Sequence, residues 1–129
     1  MLKDYEVHPL IPAADLQRAR AFYADKLGLI PVREDPGGLF YKTPAGHTFR
    51  ITRSPNAGTA KHTVAGWSVP DVVAEVAELR AKGVVFEEYD IPGVQVTAGI
   101  AQMPAGRGAW FKDSEGNIIG IVELDPFDS

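Results

Sequence analysis

The apolar positions of this chain change period in an order that occurs twice. Residues 5–12 alternate like a short strand, which Pro12 helps to end because proline lacks the amide that a sheet ladder needs. Asp15 then stands where an N-cap belongs. Leu16, Ala19, Phe22, Tyr23 and Leu27 recur at helical spacing, and Gly28 can take the positive φ of a C-terminal stop, so the pattern predicts a helix over 16–27. Three strand-like pieces follow at 29–34, 38–43 and 47–53, the last two joined by the turn residues Pro44, Ala45 and Gly46. After a small, polar, turn-rich stretch the order returns. Residues 62–69 read as a strand, Asp71 as an N-cap, Val72, Val76 and Leu79 as a helical stripe closed by Gly83, and 84–89, 108–113 and 117–124 as strands. Each half reads β-α-β-β-β. The predicted organisation is one domain over 1–129, with module one at about 5–53, a linker at 54–61 and module two at about 62–124.

The repeat is also written in the residues. The stretch 38–51 aligns without a gap on 108–121, an offset of 70, with Gly38, Lys42, Gly46 and Ile51 identical to their counterparts and Phe40 and Tyr41 facing Trp110 and Phe111. The two N-caps align at an offset of 56, so the second half carries an insertion of about 14 residues between Asp90 and Arg107. Pro92, Gly93, Gly99, Pro104 and Gly106 mark that insertion as an irregular loop, expected to cover one mouth of a binding cleft.

Composition narrows the partners. Thirteen basic residues against 17 acidic ones, with no Lys/Arg run, argue against nucleic acid and anionic membrane. No apolar run approaches the roughly 18 residues of a membrane span, and the N-terminus lacks the apolar core of a signal peptide. The absence of cysteine removes disulfides, thiolate metal sites and a cysteine nucleophile, and fits a reducing cytoplasm.

Two segments carry a family resemblance. Residues 15–29, with Asp15-Leu16, Phe22-Tyr23 and Leu27-Gly28-Leu29, resemble a D-L-x-x-x-x-x-F-Y-x-x-x-L-G-L helix, and 110–117 resemble an F-x-D-P-x-G-N hairpin with Ser114 in place of proline. Both are similar to the vicinal oxygen chelate superfamily of glyoxalase I, extradiol dioxygenases and bleomycin resistance proteins. The resemblance implies an α+β fold of two pseudo-symmetric βαβββ modules whose curved sheets enclose a cleft, with the helices outside and a homodimer as the usual assembly. It also implies where metal-using members hold their ligands, one on the first and one on the last strand of each module.

Carried over by the two offsets, those positions are His8, Arg50, Val64 and Gly120. Only His8 can coordinate: valine and glycine offer no lone pair, and a guanidinium beside a dication is repulsive. His62, two residues from Val64, lies about 6–7 Å too far along a strand to substitute. No metal and no cofactor are therefore expected. Alternation assigns Leu10, Val64, Gly66, Ile118, Gly120 and Val122 to an apolar cleft wall, with His8, Thr48, Arg50 and Thr52 as its polar points. Glu6 and His8, on one parity, are the candidates for proton chemistry. The leading expectation is metal-free binding of a small, anionic molecule, Arg50 meeting Glu6, another carboxylate or an anionic group of the ligand. The alternatives are an enzyme of lyase, isomerase or dioxygenase type in the same cleft, with or without a divalent metal, and a dimeric interaction module.

Overall fold

Both helices start and stop where the capping residues place them. In the computed structural model, which describes residues 1–123, α1 spans Leu16–Leu27 and α2 spans Val72–Ala81. The Asp15 carboxylate accepts from the amides of Gln17 and Arg18, the Asp71 carboxylate from that of Ala74, and Gly28 ends α1 at φ 72°. Leu16, Ala19 and Tyr23 are the buried stripe of α1; Val72, Val76 and Leu79 are that of α2.

The strands form two sheets. One holds β1 (Leu10–Ala13), β2 (Arg33–Asp35), β3 (Gly38–Lys42) and β4 (Thr48–Arg53) in the order β1-β4-β3-β2. The other holds β5 (Thr63–Ser68), β6 (Gln95–Thr97), β7 (Ile100–Met103), β8 (Gly106–Lys112) and β9 (Ile118–Val122) in the order β5-β9-β8-β7-β6. In each module the first strand runs parallel to the last, which requires the intervening crossover that the helix supplies. The fold is thus α+β, two βαβββ modules with curved sheets, as expected.

Register bears out both offsets. In the first sheet Arg50 pairs with Leu10 on one side and with Phe40 on the other; in the second, Gly120 pairs with Gly66 and with Trp110, the residues 56 and 70 positions on.

Three segments differ from expectation. The first strand starts only at Leu10, and a 3-10 turn, Leu2–Asp4, lies upstream. The segment 84–89 makes a single bridge, Phe86 to Phe111, because the insertion is not an irregular loop. Its hairpin, β6–β7, occupies the edge of β8 through the pairs Ile100–Ala109 and Ala101–Gly108, leaving residues 84–89 only the far end of that strand. Arg80 holds the hairpin turn to α2 by donating to the Ala98 carbonyl, where Ala98 and Gly99 take φ of 52° and 78°. The last strand ends at Val122; Leu124, the predicted end of that strand and of module two, lies outside the described residues.

Two apolar clusters, one per module, make the core. Ile11, Ala13, Leu39, Tyr41, Phe49 and Ile51 pack with α1, and Phe86, Ala109, Phe111, Ile119 and Ile121 with α2. Phe22, Leu27, Ala65 and Trp67 touch both, with the Trp67 ring edge-on to Phe49 at 5.9 Å. Among the described residues, no helix is long and apolar enough to cross a membrane.

Candidate functional site

Strand alternation sends Ile11, Leu39, Phe49 and Ile51 into the core and their neighbours to the opposite face of the sheet. Directly opposed residues share a face, so Arg33, Phe40, Arg50 and Leu10 form one row across β2, β3, β4 and β1. The Arg50 guanidinium lies 4.8 Å from the Phe40 ring centre and that of Arg33 lies 5.4 Å from it. Arg50 is half-buried, and neither arginine meets a carboxylate among the described residues. Leu10 is 58% exposed beside them. Thr48 and Thr52 share this face two residues to either side of Arg50.

The matching row of the second sheet is Gly66, Gly120 and Trp110. The glycines decide how the indole lies. A Cβ at Gly120 would sit 3.2 Å from Cδ1 and Nε1 of Trp110, and one at Gly108 would sit 3.5 Å from Cη2. The indole thus lies against bare backbone at Gly120, whereas at Gly108 the Met103 Cε, 2.7 Å from the same Cβ position, fills the space beside it. Tyr89 packs its ring edge against the indole at 6.0 Å, and its buried hydroxyl has no partner among the described residues. Ile118 and Val122 flank Gly120 on this face, both half-buried.

Several expected site residues stand elsewhere. Val64 is not on the Gly66–Gly120 face. A bulge between Thr63 and Ala65 makes it the unpaired residue, it packs on the second core cluster, and the Thr63 methyl takes the place beside Gly120. His8 precedes β1 and is half-buried. Glu6 does not meet Arg50; it accepts a hydrogen bond from the Thr48 hydroxyl, which is also what it makes in place of any bond to His8.

Within one chain the two rows do not face each other. The contacts between modules run through the opposite faces, by Phe22 with Phe111 and Phe49 with Trp67, and through the β8–β9 turn. That turn is the least expected part of the molecule. Asp113, Glu115 and Asn117, within the stretch that resembles a hairpin, are all buried. Asp113 accepts from the Tyr23 hydroxyl at 2.7 Å, and Asn117 donates to the Pro12 carbonyl at 2.7 Å and accepts from Gly58 N–H. Glu115 accepts from Asp15 N–H at 2.9 Å and from the Arg18 guanidinium at 2.8 and 3.0 Å. Burial would raise the Glu115 pKa, but the bonds from Arg18, Asp15 and Ser114 outweigh it and hold the carboxyl down at about 2. Burial, and then the neighbouring Asp113 charge, pushes the Tyr23 phenol far above its ordinary value. Module two is thereby keyed onto the N-terminus of α1. The signal was present in the D-x-E-G-N spelling of the turn, but its partners are about 100 residues away.

Between the modules, an apolar groove of about 1270 Å³ runs from Val7 and Pro9 past Phe49 to Val64 and Trp67. It is bordered by β1 and β5, one edge strand of each sheet.

The donor set does not fit the divalent metal of metal-using relatives. At the four positions the chain presents one imidazole, a guanidinium stacked on Phe40, a bulge valine and a bare backbone. Among the described residues no three His, Cys, Asp or Glu side chains converge.

The sequence from residue 7 to 121 matches the Glyoxalase/Bleomycin resistance protein/Dioxygenase superfamily. No curated protein sequence matches the chain. Solved structures share its fold. TnmS3, an antibiotic binding protein from Streptomyces sp. CB03234, aligns with a TM-score of 0.67 at 23% identity over 92% of this chain and 95% of its own. A bleomycin-binding protein complexed with bleomycin aligns at 0.69 and 17% identity, over 94% and 99%. Lactoylglutathione lyase from Agrobacterium tumefaciens aligns at 0.71 and 16%, over 97% of both chains.

Proposed function

The chain belongs to the Glyoxalase/Bleomycin resistance protein/Dioxygenase superfamily, and from that premise we propose that it binds a small anionic molecule, without a metal ion, in a cleft that a second copy of the chain completes. The observation that carries the reading is Arg50. A half-buried guanidinium needs a counter-charge or acceptors, and its contact with Phe40 supplies only about 0.5–1 kcal/mol at such a site. Glu6, the nearest sequence candidate for a partner, is engaged by Thr48. An incoming anion is the remaining partner, and the apolar Leu10 on one side gives its tail a surface.

Three features support a second copy. Of the four edge strands, β1 and β5 border the groove and are free to pair. The groove beside them is apolar, and the two rows, an arginine–phenylalanine row and a glycine–tryptophan row, can face one another only between chains. Leu10, Thr48, Arg50 and Thr52 then come from one copy, and Gly66, Ile118, Gly120 and Val122, with Thr63 and Trp110, from the other. His8 stands at the rim. We place this homodimer in the cytoplasm, in keeping with a chain without cysteine. Proton chemistry by Glu6 and His8 has less support, because the Glu6 carboxylate bonds to Thr48 and not to the imidazole.

The test is complementation. Arg50→Gln and Trp110→Ala should each abolish the thermal stabilisation given by an anionic ligand found in a screen of the native protein. Mixing the two variants in equal amounts and refolding them together should restore about a quarter of the binding sites, since half of the reassociated dimers are mixed and one of the two clefts in each carries both native residues. Failure to restore any, with dimers present by light scattering, would place the cleft within one chain; full activity of Arg50→Gln would remove the anion.

A further inference from the structure

Arg50 is not alone. Arg33 reaches the same Phe40 ring from the other side of the row, and no family position or sequence motif singled it out. A cation–π contact consumes no N–H donor, and neither guanidinium meets a carboxylate among the described residues, so both keep donors for a ligand. Their separation is at most the sum of the two ring distances, which a modest swing of two long side chains brings onto one oxyanion.

Three of the other five arginines have found a carboxylate, and Arg80 donates to the Ala98 carbonyl. Arg18 pairs with Glu115, Arg20 with Glu34, and Arg107 with Glu123 and Asp71. Glu34 is next to Arg33 in sequence, yet alternation sends it to the opposite face. The acids on the clamp's own face are engaged: Asp35 accepts from Gly37 N–H and Glu6 from Thr48. Lys42 adds a third cation two residues from Phe40 on that face, again without a carboxylate among the described residues. A chain of net charge −4 thus keeps one sheet face locally positive.

We propose that Arg33 and Arg50 are the two arms of one clamp and that the ligand's head is a doubly charged oxyanion, a phosphate monoester or a free phosphonate, whose organic tail runs toward Leu10. This rests on the reading of Arg50 as an anion site and adds to it the charge of the ligand and a second binding residue. Three terminal oxygens offer acceptors to both guanidinium forks, and a dianion balances two cations where a monoanion of the same shape leaves one charge unmatched.

The experiment compares phenyl phosphate with phenyl sulfate, near-isosteric mono-esters of which only the first is a dianion at pH 7.5. Both are titrated calorimetrically against native dimer, Arg33→Gln and Arg50→Gln, with the Arg Nε–H resonances followed by NMR. Phenyl phosphate should bind at least tenfold tighter than phenyl sulfate and shift the Nε–H signals of both arginines. Arg33→Gln should erase the preference while keeping phenyl sulfate affinity within about twofold, and Arg50→Gln should weaken both esters. Inorganic phosphate, which lacks the tail, should bind at least fivefold more weakly than the phenyl ester; equal affinity would make this a free-ion site and overturn the ester. Equal affinity for the two esters, or a preference that survives Arg33→Gln, overturns the clamp while leaving Arg50 as an anion site. Binding of either ester that ignores Arg50→Gln overturns both readings. Both arginines project from the sheet face opposite the core, so unchanged melting temperatures are expected and show that the variants are folded.

Discussion

Replacing Glu115 with glutamine should cost the fold about 2 kcal/mol at neutral pH. The carboxylate accepts four hydrogen bonds: from Asp15 N–H at 2.9 Å, from Arg18 at 2.8 and 3.0 Å, and from Ser114 at 2.8 Å. Glutamine keeps one acceptor oxygen and turns an NH₂ group toward donors. The drop of the carboxyl from 4.5 to about 2 corresponds to about 3 kcal/mol of preference for the charged form in the folded state. Arg18 is 54% exposed, and solvent screening brings the expected figure down to about 2. With an unfolding entropy of about 2.1 cal/mol/K per residue, 129 residues give about 0.27 kcal/mol/K, so the melting temperature should fall by about 7 °C. The pH dependence has a definite sign. A depressed carboxyl stabilises the fold above its unfolded value of 4.5 and loses that stabilisation as the pH falls through about 2, so the gap between the proteins should be full at pH 6 and close toward pH 2. Glu123, also held at about 2 by Arg107 and by the amides of Val72 and Arg107, is common to both proteins and cancels in the difference. Calorimetric melting of both proteins between pH 2.5 and 7 measures it. A gap below about 2 °C at pH 7, or one that does not narrow in acid, would refute the argument that this carboxylate keys the modules together.

Tyr23→Phe removes a 2.7 Å buried bond to Asp113 and should destabilise the protein by about 1.5–3 kcal/mol in urea titrations, with little change in m-value. Gly120→Val drives branched carbons into the Trp110 ring, 3.2 Å from the new Cβ; it should shift the tryptophan emission spectrum and abolish ligand binding while costing about 1–3 kcal/mol of stability. Arg80→Ala frees the Ala98 carbonyl, so amide hydrogen exchange across residues 95–103 should quicken while that of β3 and β4 stays as it was.

Fold and module repeat were legible because they rest on local signals. The cap at Asp15, the stripe from Leu16 to Leu27 and the glycine at 28 each act within one or two turns of chain, and the two offsets survive as strand register. The faces of β4 and β9 followed from alternation: the register sets Leu10 and Arg50 in one row, with Thr48 and Thr52 on the same face, and Gly66 and Gly120 in another, with Ile118 and Val122. Val64 failed for the reason that parity always fails: one bulge residue turns every side chain upstream of it.

Other features could not be read from one strand at a time. The insertion looked irregular because Pro and Gly mark its turns, but β8 offered a free edge, and an edge is a template that only the assembled sheet provides. Trp110 read as half of an aromatic pair; what lets its ring lie against β9 is the missing side chain at Gly120, a property of two strands side by side. Arg33 carried no signal at all until β2, β3 and β4 came into register around Phe40. Asp113, Glu115 and Asn117 spelled a turn correctly and still hid their larger role, since the groups they bind, Tyr23, Arg18 and Pro12, lie roughly a hundred residues upstream and approach only when the core closes. Sequence thus determined which residues form each element and which face each presents; the tertiary structure decided which faces meet, because that depends on the packing of apolar surfaces distant along the chain.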